Sequence, residues 1–314
     1  MYDIVAIGEM LIDFTTENIQ EDGYPIMAAH PGGAVANFIA PASKYGRETA
    51  IISSVGNDAF GNMLIKTLKD LKIETKGINI AENAFTTLAF VTRDKNGDRE
   101  FSFVRKPGAD ILLSETDAGY SIIDKSKVVH FGTVGMTEEP SRTTHKKYIE
   151  YAKKNKKIIS FDPNLRVPLW KSLDGAKEQI LWGISVADFM KISDNEVEFL
   201  FGLKPEEGAK YIIENFGVSL VFVTCGKDGC VFATEKYCGK VPNFQPKEKT
   251  IDTTGAGDIF GGSAMYKIIE SGKKLDEFSE SELFEIGSFA CKAASISTTH
   301  LGGISSVPNL CEIQ

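Results

Sequence analysis

Asp252-Thr253-Thr254-Gly255-Ala256-Gly257-Asp258 runs directly into Ile259, Phe260, Ala264, Met265, Ile268 and Ile269, and that apolar spacing predicts a helix starting at the glycines. The two glycines allow a tight turn and leave backbone N–H groups bare. A helix start attracts anions through such unpaired donors and through its dipole. Asp258 then places a carboxylate in the first turn. Two readings fit the stretch taken alone. One is a tight loop with the acid that first turns commonly carry. The other is an anion hole beside a base, which suits phosphoryl transfer to a hydroxyl.

Outward from this segment, short apolar runs alternate with helical patterns. Ile4 to Ile7, Ile51 to Val55, Val128 to Phe131, Ile158 to Asp162, Phe189 to Ile192 and Leu220 to Thr224 read as buried strands. Helical spacing occupies Ala34 to Tyr45 with a stop at Gly46, and a helix after Gly56-Asn57-Asp58 reaches about Leu71. Further helical patterns cover Arg142 to Lys154, Gly175 to Gly183 and Asn195 to Phe201. This order predicts an α/β fold whose mostly parallel sheet is covered on both faces. One region differs. Thr86 to Thr92 and Arg99 to Arg105 alternate around Asp94-Lys95-Asn96-Gly97-Asp98, a hairpin signal. With Leu11 to Thr15 it predicts a small antiparallel sheet, either a cover over a site or an ordinary surface hairpin.

With 314 residues, the chain can bury a large core. Its net charge of −8, from 35 basic and 43 acidic residues, argues against a general nucleic-acid or membrane-surface binder. Five cysteines without a Cys-x-x-Cys pair predict reduced thiols rather than a disulfide framework or zinc site. Asp3 and Glu9 interrupt the first apolar run, so no signal peptide or anchor is expected, and the expected location is the cytoplasm.

Several nucleotide signatures fail. Gly56 to Gly61 has the spacing of a P-loop start but continues as Asn62-Met63. Gly255-Ala256-Gly257 lacks the third glycine of a dinucleotide loop. The four histidines, His30, His130, His145 and His300, form no metal pair at helical spacing.

Four motifs remain, in order. Gly32-Gly33-Ala34-Val35-Ala36-Asn37, Asn195-Glu196-Val197-Glu198, Thr224-Cys225-Gly226-Lys227-Asp228-Gly229, and Asp252 to Asp258 with Phe260-Gly261 together resemble the PfkB, or ribokinase-like, family of sugar and nucleoside kinases over nearly the whole chain. The segments Arg99 to Asp110 and Phe161 to Trp170 look like those of fructokinases; 2-keto-3-deoxygluconate kinases share the Asp-x-Asn-x-Arg pattern and an arginine like Arg105. The resemblance implies a three-layer sandwich. Residues 1–10, 31–84 and 109–314 would form the core, and residues 11–30 and 85–108 a β lid.

Residue by residue, the resemblance makes Asp258 the base and the amides of Gly255, Ala256 and Gly257 the anion hole. As a helix-start carboxylate, Asp258 is expected to stay ionised and act as a weak base. Asn195 and Glu198 would hold Mg²⁺, largely through water. Thr224, Gly226 and Gly229 would contact ATP, with Lys191 on a phosphate and Asn195 nearby. Asp13, Gly32, Gly33, Asn37 and Asn164 would meet the sugar, Arg105 and Arg166 would reach sugar or phosphate oxygens, and Phe103 would close the apolar side. A potassium ion would lie by Asp252, Thr254 and the segment holding Ser297, His300, Gly302 and Ser306. Lys292 departs from the asparagine that related kinases often carry near adenine. The expected reaction transfers the γ-phosphoryl of ATP to the 6-hydroxyl of fructose. A 2-keto-3-deoxygluconate kinase, a nucleoside kinase and a catalytically silent sugar- or nucleotide-binding regulator are the alternatives. A homodimer through the lid is expected as well.

Overall fold

A computed structural model describes residues 1–93 and 99–313. The main sheet has nine strands. Seven are parallel, in the spatial order β5 (Glu74–Ala81), β4 (Thr49–Gly56), β1 (Tyr2–Ile7), β8 (Ser126–Gly132), β9 (Ile158–Asp162), β10 (Phe189–Ser193) and β11 (Leu220–Thr224). The antiparallel strands β12 (Cys230–Ala233) and β13 (Cys238–Val241) finish one edge. Alternate residues of a strand face opposite sides. Ile4 and Ala6 of β1 therefore enter one core, and Val5 and Ile7 the other. Both faces are covered, so the parallel strands read as unbroken apolar runs.

On one face lie α1 (Ala34–Lys44), α2 (Ala59–Asp70), α8 (Ala256–Ser271) and α9 (Glu280–Ser297), packed through Phe38, Leu64, Phe260 and Ile286. On the other lie α3 (Asp117–Asp124), α4 (Ser141–Lys154), α5 (Leu173–Val186), α6 (Asp194–Phe201) and α7 (Pro205–Phe216), packed through Ile123, Tyr148, Ile180, Val197 and Ile212. Each large apolar side chain so buried stabilises the fold by roughly 1.5–3 kcal/mol. A short α10 (Leu310–Ile313) closes the chain. The helix starts are written locally. Asp58 accepts from Gly61 N at 2.8 Å at the head of α2, and Ser193 with Glu196 forms a capping box on α6. Gly46, with φ 89°, follows α1 as its spacing predicts.

The second sheet runs β3 (Pro25–Gly32), β2 (Leu11–Ile19), β6 (Thr87–Arg93) and β7 (Arg99–Val104). Its two outer pairings are antiparallel, while its central pairing, β2 with β6, is parallel. The expected turn at Asp94 to Asp98 lies outside the described residues. Asp58 also accepts from Thr86 N and Oγ1 at 2.8 and 2.9 Å, joining the core to the start of β6. All five cysteines are unbridged. Among the described residues, no helix is long and apolar enough to cross a membrane.

Candidate active site

Gly255 caps α8 at φ 73°, a left-handed conformation that glycine tolerates without penalty. No side chain caps this helix, so its first-turn donors are left for another partner. Ala256 N turns back toward Thr253 O at a long 3.3 Å. Asp258, the third helical residue, is buried. Its Oδ2 accepts from Asn37 Nδ2 at 3.0 Å, and its Oδ1 from Asn164 Nδ2 at 2.6 Å. Asn37 comes from α1 and Asn164 from the loop after β9, where its φ of 46° turns the chain back. Burial pushes the Asp258 carboxyl above the ordinary aspartate value, against the pull of Lys191, Asn37, Arg166 and Asn164. Desolvation thus opposes the stabilisation that a helix start gives a carboxylate.

Below the loop, Lys191 projects from β10 and donates to Asp162 Oδ2 at 2.8 Å. Its ammonium would lie 2.9 Å from a Cβ placed on Gly257, so glycine there gives the cation room beneath the turn. Burial works against the Lys191 charge, but Asp162, Glu196 and Asp258 hold its pKa above the usual lysine value. Burial also drives the Asp162 carboxyl upward, against the pull of Lys191.

The loop separates two cavities. The smaller, about 100 Å³, is lined by Glu9, Asp13, Gly33, Asn37, Asn164, Arg166, Gly255 and Asp258, with Leu11 and Phe103 from the second sheet. The other, about 390 Å³, is lined by Thr224, Gly226, Gly229, Asn243, Gln245, Ala256, Gly257, Cys291 and Ser295. Thr253 lines both. A cavity of about 760 Å³ near Lys210, Lys236 and Asp276 contains none of these residues.

Some expected residues lie elsewhere. Arg105 is buried and turned toward the protein: Nε donates to Asp110 Oδ2 at 2.9 Å, Nη1 to Thr137 Oγ1 at 2.7 Å and Nη2 to Val134 O at 2.9 Å, with a further Nη2 bond to Asp110. Thr87 Oγ1 donates to the other Asp110 oxygen at 2.5 Å. Arg105 thus ties the end of β7 to the core and does not line the small cavity. Gly32 lies beside Asp13 Oδ2 but does not line the cavity. Asn195 and Glu198 are exposed and line neither cavity. Starting α6 with the Ser193 cap puts Glu196 inward, where Oε1 accepts from Leu165 N at 2.7 Å and Oε2 from Ser193 N at 2.9 Å.

Asp252 knots the loop to the C-terminal segment. Its Oδ1 accepts from Thr254 N and Oγ1 at 2.9 and 2.8 Å, and its Oδ2 from Gly302 N at 2.8 Å. Ser297 and Ser306 give their hydroxyls to the Ala294 and Gly303 carbonyls, and His300 is exposed with its ring at Thr299 Oγ1. Lys292 places its ammonium 5.5 Å from the Phe244 ring centroid. Sequence reading missed Glu9, Asp162, Glu196, Asn243 and Ser295. The Ser-x-x-Glu box at Ser193 was an available signal for Glu196.

A nine-stranded α/β sheet flanked by helices, a small second sheet, and a glycine loop between two cavities are the features of a ribokinase-like fold. The chain belongs to the pfkB family of carbohydrate kinases, whose pattern, described as pfkB family carbohydrate kinase, matches residues 1–310. It is 39% identical to Fructokinase-2 of Solanum lycopersicum, over 98% of this chain and 94% of that one. The fold resembles a fructokinase from Xylella fastidiosa with bound ATP at a TM-score of 0.88 and 25% identity, covering 100% of this chain and 97% of that one. It also resembles a fructokinase from Vibrio cholerae O395 bound to fructose, ADP and calcium ion, at 0.85 and 27%, covering 99% and 98%.

Proposed function

We propose that the chain transfers the γ-phosphoryl group of ATP to the 6-hydroxyl of D-fructose, giving fructose 6-phosphate. The observation that carries this reading is the Gly255–Gly257 loop as the shared wall of two cavities, with Asp258 on the side of the smaller. The fructokinases it resembles, and the fructose and nucleotides bound in two of them, support the choice of substrates.

In this reading fructose fills the small cavity and ATP the larger. Asp13, Asn37 and Arg166 hold sugar oxygens, and Phe103 and Leu11 shield the reacting end from water. Asp258, fixed by the two asparagine amides, takes the proton of the attacking hydroxyl. The amides of the loop and Lys191 beneath it stabilise the charge on the transferring group. Thr224, Gly226 and Gly229 let the nucleotide approach the backbone, with Asn243 and Ser295 on the opposite wall.

Among the described residues, no cluster of three or more His, Cys, Asp or Glu is arranged for a metal. Magnesium fits such a site, because it keeps several waters and binds substrate phosphates. Asn195 and Glu198 would hold it through its waters from the exposed start of α6; the ion would supply charge neutralisation at the phosphates. A potassium ion would rest on backbone carbonyls around the Asp252–Gly302 knot, since the serine hydroxyls there are already engaged. The reading includes a cytoplasmic enzyme and a homodimer covering the exposed Ile19, Tyr24, Ile26 and Val104 of the second sheet.

A coupled kinase assay over fructose, other sugars, nucleosides and 2-keto-3-deoxygluconate tests the proposal. It expects fructose to give the highest kcat/KM and fructose 6-phosphate as product. A sugar acid that outperforms fructose by a wide margin overturns it.

A further inference from the structure

Glu9 lies two residues past β1, at the carboxyl end of a central parallel strand, where α/β sheets bind ligands. It is 2% exposed, unusual burial for a carboxylate. Oε1 accepts from Ala34 N at 2.6 Å, anchoring the start of α1. Oε2 has no hydrogen-bond partner among the described residues, although buried acceptors are normally satisfied. Asn37 Oδ1 is in the same position, and both residues line the small cavity. Two unsatisfied acceptors on residues that line one small cavity suit a ligand that brings hydrogen-bond donors.

We propose that Glu9 is a specificity residue whose Oε2 accepts a hydrogen bond from a sugar hydroxyl, selecting a neutral polyhydroxy ketose over a sugar acid. The inference rests on the fructose reading above. Charge around the cavity points the same way. Its described lining carries three carboxylates, Glu9, Asp13 and Asp258, against the single guanidinium of Arg166. Arg105, the other cation expected near the sugar, is committed to Asp110, Thr137 and Val134. A substrate carboxylate would meet like charge there; a hydroxyl would complete Glu9. Burial lifts the Glu9 carboxyl to about 7, as expected for a buried acid with an unmet oxygen.

Glu9→Gln keeps an amide oxygen for Ala34 N and replaces the second acceptor with a donor. The test compares wild type and variant on fructose, on monodeoxy fructoses and on 2-keto-3-deoxygluconate. The expected result is a KM for fructose raised roughly 10- to 100-fold, the scale of a hydrogen bond to a charged group, with KM for ATP near wild type and a cooperative unfolding transition retained. The preference for the sugar acid over fructose rises. For one monodeoxy analogue, already poor with wild type, the variant adds no further loss. A purely structural role for Glu9 would not produce that cancellation. If Glu9→Gln does not fold, Glu9→Asp, which keeps the charge but withdraws it, enters the same cycle. A wild type inactive on fructose overturns the reading beneath the inference. A wild type active on fructose, with a folded variant of unchanged KM and unchanged selectivity, overturns the inference alone.

Discussion

Asn164 donates its side-chain amide to Asp258 at 2.6 Å, from a backbone held at φ 46°. The bond fixes one oxygen of Asp258, the proposed base, and leaves Asn37 to fix the other. Asn164→Ala is expected to lower kcat roughly 100-fold, the scale of misplacing a reacting group. It also removes a donor that favours the ionised carboxylate, so the Asp258 pKa rises further and the acidic limb of the kcat profile moves to higher pH. Steady-state rates against pH check both effects; an unmoved limb would separate Asn164 from the base.

Arg105 and Asp110 form a buried ion pair at the root of the second sheet. Asp110→Asn leaves the guanidinium without its counter-charge and is expected to cost about 3–5 kcal/mol in urea unfolding. The double variant Arg105→Met, Asp110→Leu is expected to recover most of that loss. Recovery would identify the pair as a fastening. If Arg105→Met alone raised KM for sugar without destabilising the protein, substrate contact would return as its role.

Gly257→Ala places a methyl group 2.9 Å from Lys191 Nζ. The lysine must shift off its partner Asp162, and the expected outcome is a loss of roughly tenfold or more in kcat/KM for ATP. Fructose binding measured by calorimetry should change little. Equal losses for both substrates would contradict the division of the site by this loop.

Glu9 also predicts a pH dependence of stability. Its folded pKa of about 7 lies above the ordinary 4.5, raised chiefly by burial and further by Asp110, with Ala34 N and Arg105 opposing. The folded state therefore holds this proton more tightly than the unfolded chain. Its stabilising contribution is complete below about pH 4.5 and is lost as pH rises to about 7. Relative to Glu9→Gln, the wild type should lose a few kcal/mol across that window. Parallel unfolding curves at pH 5 and pH 7.5 check it, and a constant difference would refute the shift.

The central strands were legible because burial on both faces writes them as continuous apolar runs, from Ile4 to Ile7 through Leu220 to Thr224. The edge strand Glu74–Ala81 and the Cys238–Val241 strand were not, since partial exposure mixes their composition. At the site, Asp258, Asn37 and Asn164 were legible because a glycine loop and short motifs fix their local geometry. That Glu196 turns inward while Glu198 is exposed was not legible, because it depends on helical phase, and the Ser193 cap sets that phase. The fate of Arg105 depended on Thr87, Asp110 and Thr137, which only the tertiary fold brings together.

The most direct measurement compares wild type with Asp258→Asn in a coupled assay with ATP and fructose. The account predicts fructose 6-phosphate from the wild type and a kcat roughly 10²–10⁴-fold lower in a variant that keeps its thermal midpoint. Turnover near the wild-type rate in Asp258→Asn would contradict it.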